Sequence, residues 1–262
     1  LESVSPIWRD TPAPYGPLFV LLAGVAVALG GSLFGTLALL RVLALAGVVL
    51  AAACLPPLAR RAGVAPEQAL WLFLACPLVI VHLVSGAHND ALMVGMLVAG
   101  MLVTGCRPGR PAVLLAGGAL LGLAVAVKAT AAVVVPFAAV MAIRGGAFRW
   151  RALLRDGGWV LVGVFGAVTA VSVIAGLGLG WIAGLTRSGD SVQWTAPSTA
   201  LGMTVDYLGR LFGTRVNAVP ATRLVGLAVL AVTLVVVWWR GRSRAPLFGA
   251  GIALAATVVL SP

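Results

Sequence analysis

The sequence predicts an all-α fold, a polytopic bundle of membrane helices with surface helices at one face. Three observations predict it. Of 262 residues, 61% are hydrophobic and 10% charged, with a mean hydropathy of +1.10; a soluble domain carries about 25% charged residues. The apolar runs at 34–57 and 157–182 are long enough to cross a hydrocarbon core of about 30 Å. They do not alternate apolar and polar residues over short segments, as barrel strands would.

Charge sets the sides. Arg60 and Arg61, Arg107 and Arg110, Arg144, Arg149, Arg151 and Arg155, and Arg240, Arg242 and Arg244 crowd four short connections, which the positive-inside rule makes cytoplasmic. The other connections (1–14, 85–90, a point near Lys128, and 184–221) are close to neutral and fall outside. Spans are then expected at 34–57, 67–84, 91–105, 112–127, 129–143, 157–182, 223–239 and 246–260. A single helix over 112–143 would be about 48 Å long and would place four arginines outside, so a turn near Lys128 is expected.

The run 15–31 breaks the parity of this count. Pro12, Pro14 and Pro17 open it and Gly30-Gly31 close it. It reads as a helix lying on or dipping into the outer leaflet, the alternative being a true span with 1–14 inside. A second surface helix is expected at 197–212, capped by Ser198, with Leu201, Val205, Leu208 and Phe212 on one face. Gly166, Gly176, Gly178 and Gly180 read as helix-packing glycines. The chain is one transmembrane domain: 1–33 outer loop and surface helix, 34–182 core, 183–222 outer loop, 223–262 two further spans. Leu1 at its start, and Ser261-Pro262 directly after an apolar run, suggest an internal piece of a longer protein.

Cys54, Cys76 and Cys106 lack metal-ligand spacing and read as packing residues. The formal charge of +11 is a topology signal confined to one set of loops, so no nucleic-acid partner is expected. Arg41, about two turns into its span, must pair or face a cavity. His82, in an apolar setting, reads as a hydrogen-bonded core residue.

Polar residues gather on the outer side: Arg9, Asp10, Tyr15, His88, Asn89, Asp90 and Lys128. Charges near a membrane are costly and usually face a cavity or a partner, so the group predicts a pocket at the outer leaflet. Capping would account for Asn89 and Asp90 at the start of a helix, but not for His88. Lys128 either snorkels to the interface or supplies a fixed cation for an anionic head group. An acid beside a helix N-terminus opposes anion binding unless sugar hydroxyls or a metal intervene, so a divalent cation stays open. No cofactor or ligand set is otherwise indicated.

The stretches "SPIWRDTPAPYGPLFVLLAG", "GAHNDALMVGMLVAGM" and "LGLAVAVKATAAVVVPF", with "APSTALG" and the closing "LSP", resemble the polyprenol-phosphomannose-dependent alpha-1,6-mannosyltransferases of the MptA/MptB type, members of the GT-C glycosyltransferases. The resemblance implies that 15–31 belongs to the first outer loop. It also implies that the usual catalytic aspartate precedes Leu1, with Asp10 in the right loop but late. A polyprenyl-phosphate-mannose donor and a growing mannan acceptor of lipomannan or lipoarabinomannan type are the implied substrates, on the outer face of the plasma membrane among its lipids. On this expectation Arg9 and Lys128 stabilise the departing phosphate, while Tyr15, His88, Asn89 and Asp90 orient the donor. A transferase for another lipid-linked sugar, or a transporter, are the rival readings.

Overall fold

Prolines open many of the helices and glycines close the turns between them. Pro17, Pro66, Pro111, Pro197, Pro220 and Pro246 all stand in a first turn, where the missing N–H is no loss. The protein is seen in a computed structural model that describes residues 15–144, 148–187, 192–242 and 245–261. Its elements are α1 (Pro17–Gly30), α2 (Leu33–Arg61), α3 (Pro66–Leu74), a π-helical segment (Val79–Ser85), α4 (Asp90–Cys106) and α5 (Pro111–Val127). A 3-10 segment (Ala129–Val134) then runs into α6 (Val135–Met141). There follow α7 (Trp150–Ile174), α8 (Gly180–Arg187), α9 (Pro197–Leu211), α10 (Val219–Gly241) and α11 (Pro246–Leu260).

The described residues are helical with no strand, as the composition predicts. Three helices, α2, α7 and α10, are each long and apolar enough to cross a membrane. The segment expected as one span at 67–84 is instead α3 and the π-helical segment, bent by 64°. Pro77 explains the break, because it disfavours helical backbone at Cys76 and donates no hydrogen bond.

The two ends of the bundle are fixed by hydrogen bonds. At one end, Arg61 donates to the Leu102 carbonyl and to Cys106 Sγ, each at 3.0 Å, tying the end of α2 to the end of α4. The Gly109 N–H reaches the Ala142 carbonyl at 3.1 Å, so the chain has returned to this end after Lys128. The turn at Lys128 is therefore real. Asp156, 2% exposed, sits here too; it accepts from Arg155 at 2.7 and 3.0 Å and from the Arg144 N–H at 3.3 Å.

The other end carries the starts of α4 and α1. Gly16 N–H donates to Val127 O at 3.1 Å, placing the start of α1 beside the end of α5. A helix of 14 residues is about 21 Å long, too short to cross about 30 Å. Its far end turns through Gly31, at φ +63°, into α2. Halfway along α2, Gly47 lies against Ala91 at the start of α4. The first half of α2 thus rises roughly 20 Å beyond that level. Neither end of α1 reaches the Arg61 end, in keeping with the parity of the charged loops.

Close backbone approach holds the bundle together. A Cβ at Gly118 would run into the Val160 carbonyl, one at Gly122 into Val164, and one at Gly163 into the Leu115 carbonyl, so α5 and α7 touch almost without side chains between them. Gly47 and Gly95 do the same for α2 and α4. Phe137, Met101, Leu114 and Leu121 fill the centre, each fully buried, with Phe137 against Gly249 of α11. The expected packing glycines are not these. Gly166, Gly176, Gly178 and Gly180 face open space, and Gly176 and Gly178, at φ +66° and +50°, end the span at Ile174 rather than Ile182.

Replacing Gly118 by Leu should cost about 1–3 kcal/mol, the usual penalty for overpacking. The measurement is the melting temperature of the extracted protein. Gly166→Leu, at an open position, should melt like the parent.

Candidate functional site

Lys128 ends α5 because its backbone is extended, at φ −151° and ψ 123°. Its carbonyl then accepts the Ala131 N–H at 3.1 Å and starts the 3-10 segment. This break lies beside the first turn of α4. Lys128 Nζ donates to Asp90 Oδ1 at 2.8 Å and to Oδ2 at 3.1 Å. The side chains are 34% and 21% exposed, so the pair stands at a mouth rather than in the core. Neither the snorkelling nor the head-group reading of Lys128 names the partner its charge meets. It meets a carboxylate.

His82 and His88 stand together next to this pair. The wider turn of the π-helical segment carries His82 outward, and Ala87, at φ +49°, folds the chain back so that His88 stacks on it. The ring centroids are 3.9 Å apart and the planes 14° from parallel. Both histidines are exposed. The expectation that His82 is a hydrogen-bonded core residue is thus corrected, because a 3.6-residue period was applied to a segment that does not keep it. Among the described residues neither ring makes a hydrogen bond.

Asn89 is buried, at 7% exposure, yet it does not cap α4; its side chain reaches no helical N–H, and Nδ2 has no partner among the described residues. Asp90 does stand in the first turn of α4, where a negative charge suits the helix dipole. Tyr15 precedes the Gly16–Val127 hydrogen bond and packs edge-on against Phe19 at 5.1 Å, which brings it to the α5 side of the site. Arg41 finds its partner in the Ser85 carbonyl at 3.1 Å, bracing the loop that carries the histidines. Arg9 and Asp10 lie outside the described residues. Sequence reasoning missed His82, although two histidines flanking a glycine six residues apart were a usable signal.

His82, His88 and Asp90 each bring one ligand atom within 4.8 Å of the others. The rings are stacked, and both Asp90 oxygens accept from Lys128. A divalent cation there would share the Asp90 oxygens with Lys128 and compete with its charge. The present arrangement offers ring edges and an ammonium, groups that hold an oxyanion by charge-assisted hydrogen bonds.

Long apolar helices around an ionic cluster at one end define a polytopic helical membrane protein with a polar site at that end. Residues 1–144 match the model of the alpha-(1->6)-mannopyranosyltransferase N-terminal domain, and residues 198–262 match the MptB C-terminal domain. The chain is 38% identical over 273 residues to alpha-(1->6)-mannopyranosyltransferase A of Mycobacterium tuberculosis, covering 100% of this chain and 52% of that protein. It is 30% identical over 286 residues to alpha-(1->6)-mannopyranosyltransferase B of Corynebacterium glutamicum, covering 100% of this chain and 46% of that protein. The chain thus spans about half the length of the curated relatives it matches. No solved structure is similar. The chain belongs to the alpha-(1->6)-mannopyranosyltransferase family.

A capping Asn89 would lose about 1 kcal/mol on change to Ala and regain it on change to Ser or Asp. The structure leads to the opposite expectation. Thermal unfolding should show no rescue by Asn89→Asp, which adds a second carboxylate beside Asp90 in a buried position.

Proposed function

We propose that the protein transfers mannose from a polyprenyl-phosphate-mannose donor to a growing alpha-1,6-mannan at the outer face of the plasma membrane. The observation that carries this reading is the Lys128–Asp90 pair beside the stacked His82 and His88, in a chain of this family. In the reaction the acceptor hydroxyl oxygen bonds to the anomeric carbon while the bond from that carbon to the phosphate oxygen breaks. The phosphate leaves with the electron pair, and its charge grows in the transition state.

Lys128 is the fixed cation for that charge, with Arg9 as the second. Asp90 holds the ammonium in place and keeps the site near neutral until the donor enters. The ring N–H groups of His82 and His88 donate to phosphate or sugar oxygens, and Tyr15 closes the α5 side. The proton of the acceptor hydroxyl goes to a general base, which this reading puts ahead of Leu1, with Asp10 as second choice.

Full-length enzyme tests the reading. With a polyprenyl-phosphate-mannose donor, Lys128→Ala should lower kcat by about 10²–10³, the scale of losing one transition-state donor, and Lys128→Arg should lose less. His88→Ala should reduce transfer while the melting temperature holds. Parental turnover by Lys128→Ala would remove the lysine from the mechanism. Transfer from polyprenyl-phosphate-arabinose or -glucose, but not from the mannose donor, would change the sugar and keep the site.

A further inference from the structure

A polar cavity of ≈ 330 Å³ is lined by Val192, Trp194, Met203, Asp206, Tyr207, Arg210 and Val219. It lies at the same end of the bundle as Lys128. Gly226 of α10 faces both Ser198 of α9 and the Leu260 carbonyl that ends α11, and α11 runs back along the 3-10 segment that starts at Lys128. The α9 start is set by Pro197 after Ala196, so Ser198 is inside the helix rather than its cap.

Two stripes at helical spacing divide the surface of α9. Leu201, Val205, Leu208 and Phe212 form one, and they are exposed at 59%, 38%, 47% and 83%. Thr199 and Gly202 face α10 and are buried. Met203, Asp206, Tyr207 and Arg210 form the other stripe, and these line the cavity. The apolar stripe suits the outer leaflet, so the cavity opens on the flank that turns away from lipid.

Its groups are of mixed sign and carry free capacity. Asp206 Oδ1 accepts the Ala218 N–H at 2.7 Å, which fixes the carboxylate and leaves Oδ2 available. Among the described residues Arg210 makes no ion pair, and the Tyr207 hydroxyl and the Trp194 ring N–H make no hydrogen bond. One carboxylate and one guanidinium leave the cavity near neutral, which suits neither a phosphate nor a metal. Two exposed aromatic rings beside fixed hydroxyl-binding groups match a pyranose, which has an apolar C–H face and an edge of hydroxyls.

We propose that this cavity is a saccharide-binding subsite that holds a mannose unit of the acceptor chain at a distance from the reacting end. This rests on the reading of the protein as a mannosyltransferase for its sugar, but not for its place. The test uses full-length protein in lipid nanodiscs and a linear alpha-1,6-mannohexaose, titrated by calorimetry with no donor present. Trp194→Ala and Arg210→Ala should each raise Kd by about tenfold, and should raise the acceptor KM without changing the donor KM or the melting temperature. Tyr207→Phe should bind less tightly than the parent, since only its hydroxyl is lost. Parental Kd in both alanine variants overturns the subsite, whatever the enzyme transfers. Binding of mannohexaose that the variants weaken, in a protein that transfers no mannose, keeps the subsite and overturns the proposed activity. Loss of nanodisc insertion by Trp194→Ala would make the aromatic ring a membrane anchor and overturn the proposal.

Discussion

An ammonium and a carboxylate meet at 2.8 Å at the edge of an apolar bundle, and the arrangement of the whole upper end follows from their meeting. Neither charge is stable alone beside hydrocarbon. Lys128 can reach Asp90 because α5 stops at Val127, and the extended backbone at Lys128 is what lets the chain reverse into the 3-10 segment. The same stop exposes the Val127 carbonyl, which receives Gly16 and so fixes where α1 begins. One break in one helix thus positions a cation, a reversal and the start of α1.

Rigidity beneath the site comes from glycine rather than from large side chains. Gly118, Gly122 and Gly163 bring α5 and α7 into backbone contact, and Gly47 and Gly95 do so for α2 and α4. Helices this close have few ways to shift. The loop above them is held otherwise, by Arg41 on the Ser85 carbonyl and by the stacked imidazoles. A stiff floor under a loop pinned by a few polar contacts separates a fixed base from a part that can adjust.

Much of the fold was legible because it follows from charge and length. The reversal at Lys128 came from asking where Arg144, Arg149, Arg151 and Arg155 could lie, and the short α1 from the parity of the loops. What escaped was set by local backbone geometry. A π-helical turn carries His82 out of the phase of an ordinary helix, and the positive φ at Ala87 is not a residue-type signal. The partner of Arg41 is a backbone carbonyl, which no sequence pattern names. The packing glycines were misassigned because small residues mark close contacts and turns alike; Gly176 and Gly178 serve turns. Asn89, Asp90 and Lys128 were legible as a group, but only the geometry separates the buried amide from the ion pair.

The lengths of the helices beneath the site have a mechanical consequence. α4 and α5 have 17 residues each, about 25 Å, whereas α2 has 29. A bilayer of about 30 Å in its hydrocarbon core meets that mismatch by thinning next to the shorter helices, at a cost of fractions of a kcal/mol per Å. The end of α5 at Lys128 thus stands where the hydrocarbon beside the bundle would be thinnest. A thinner layer would bring water closer to Lys128 and Asp90, so the pair would stand less deep in hydrocarbon than beside a helix the length of α2. Short helices would in this way bring the membrane surface to the charges instead of carrying the charges up to the surface.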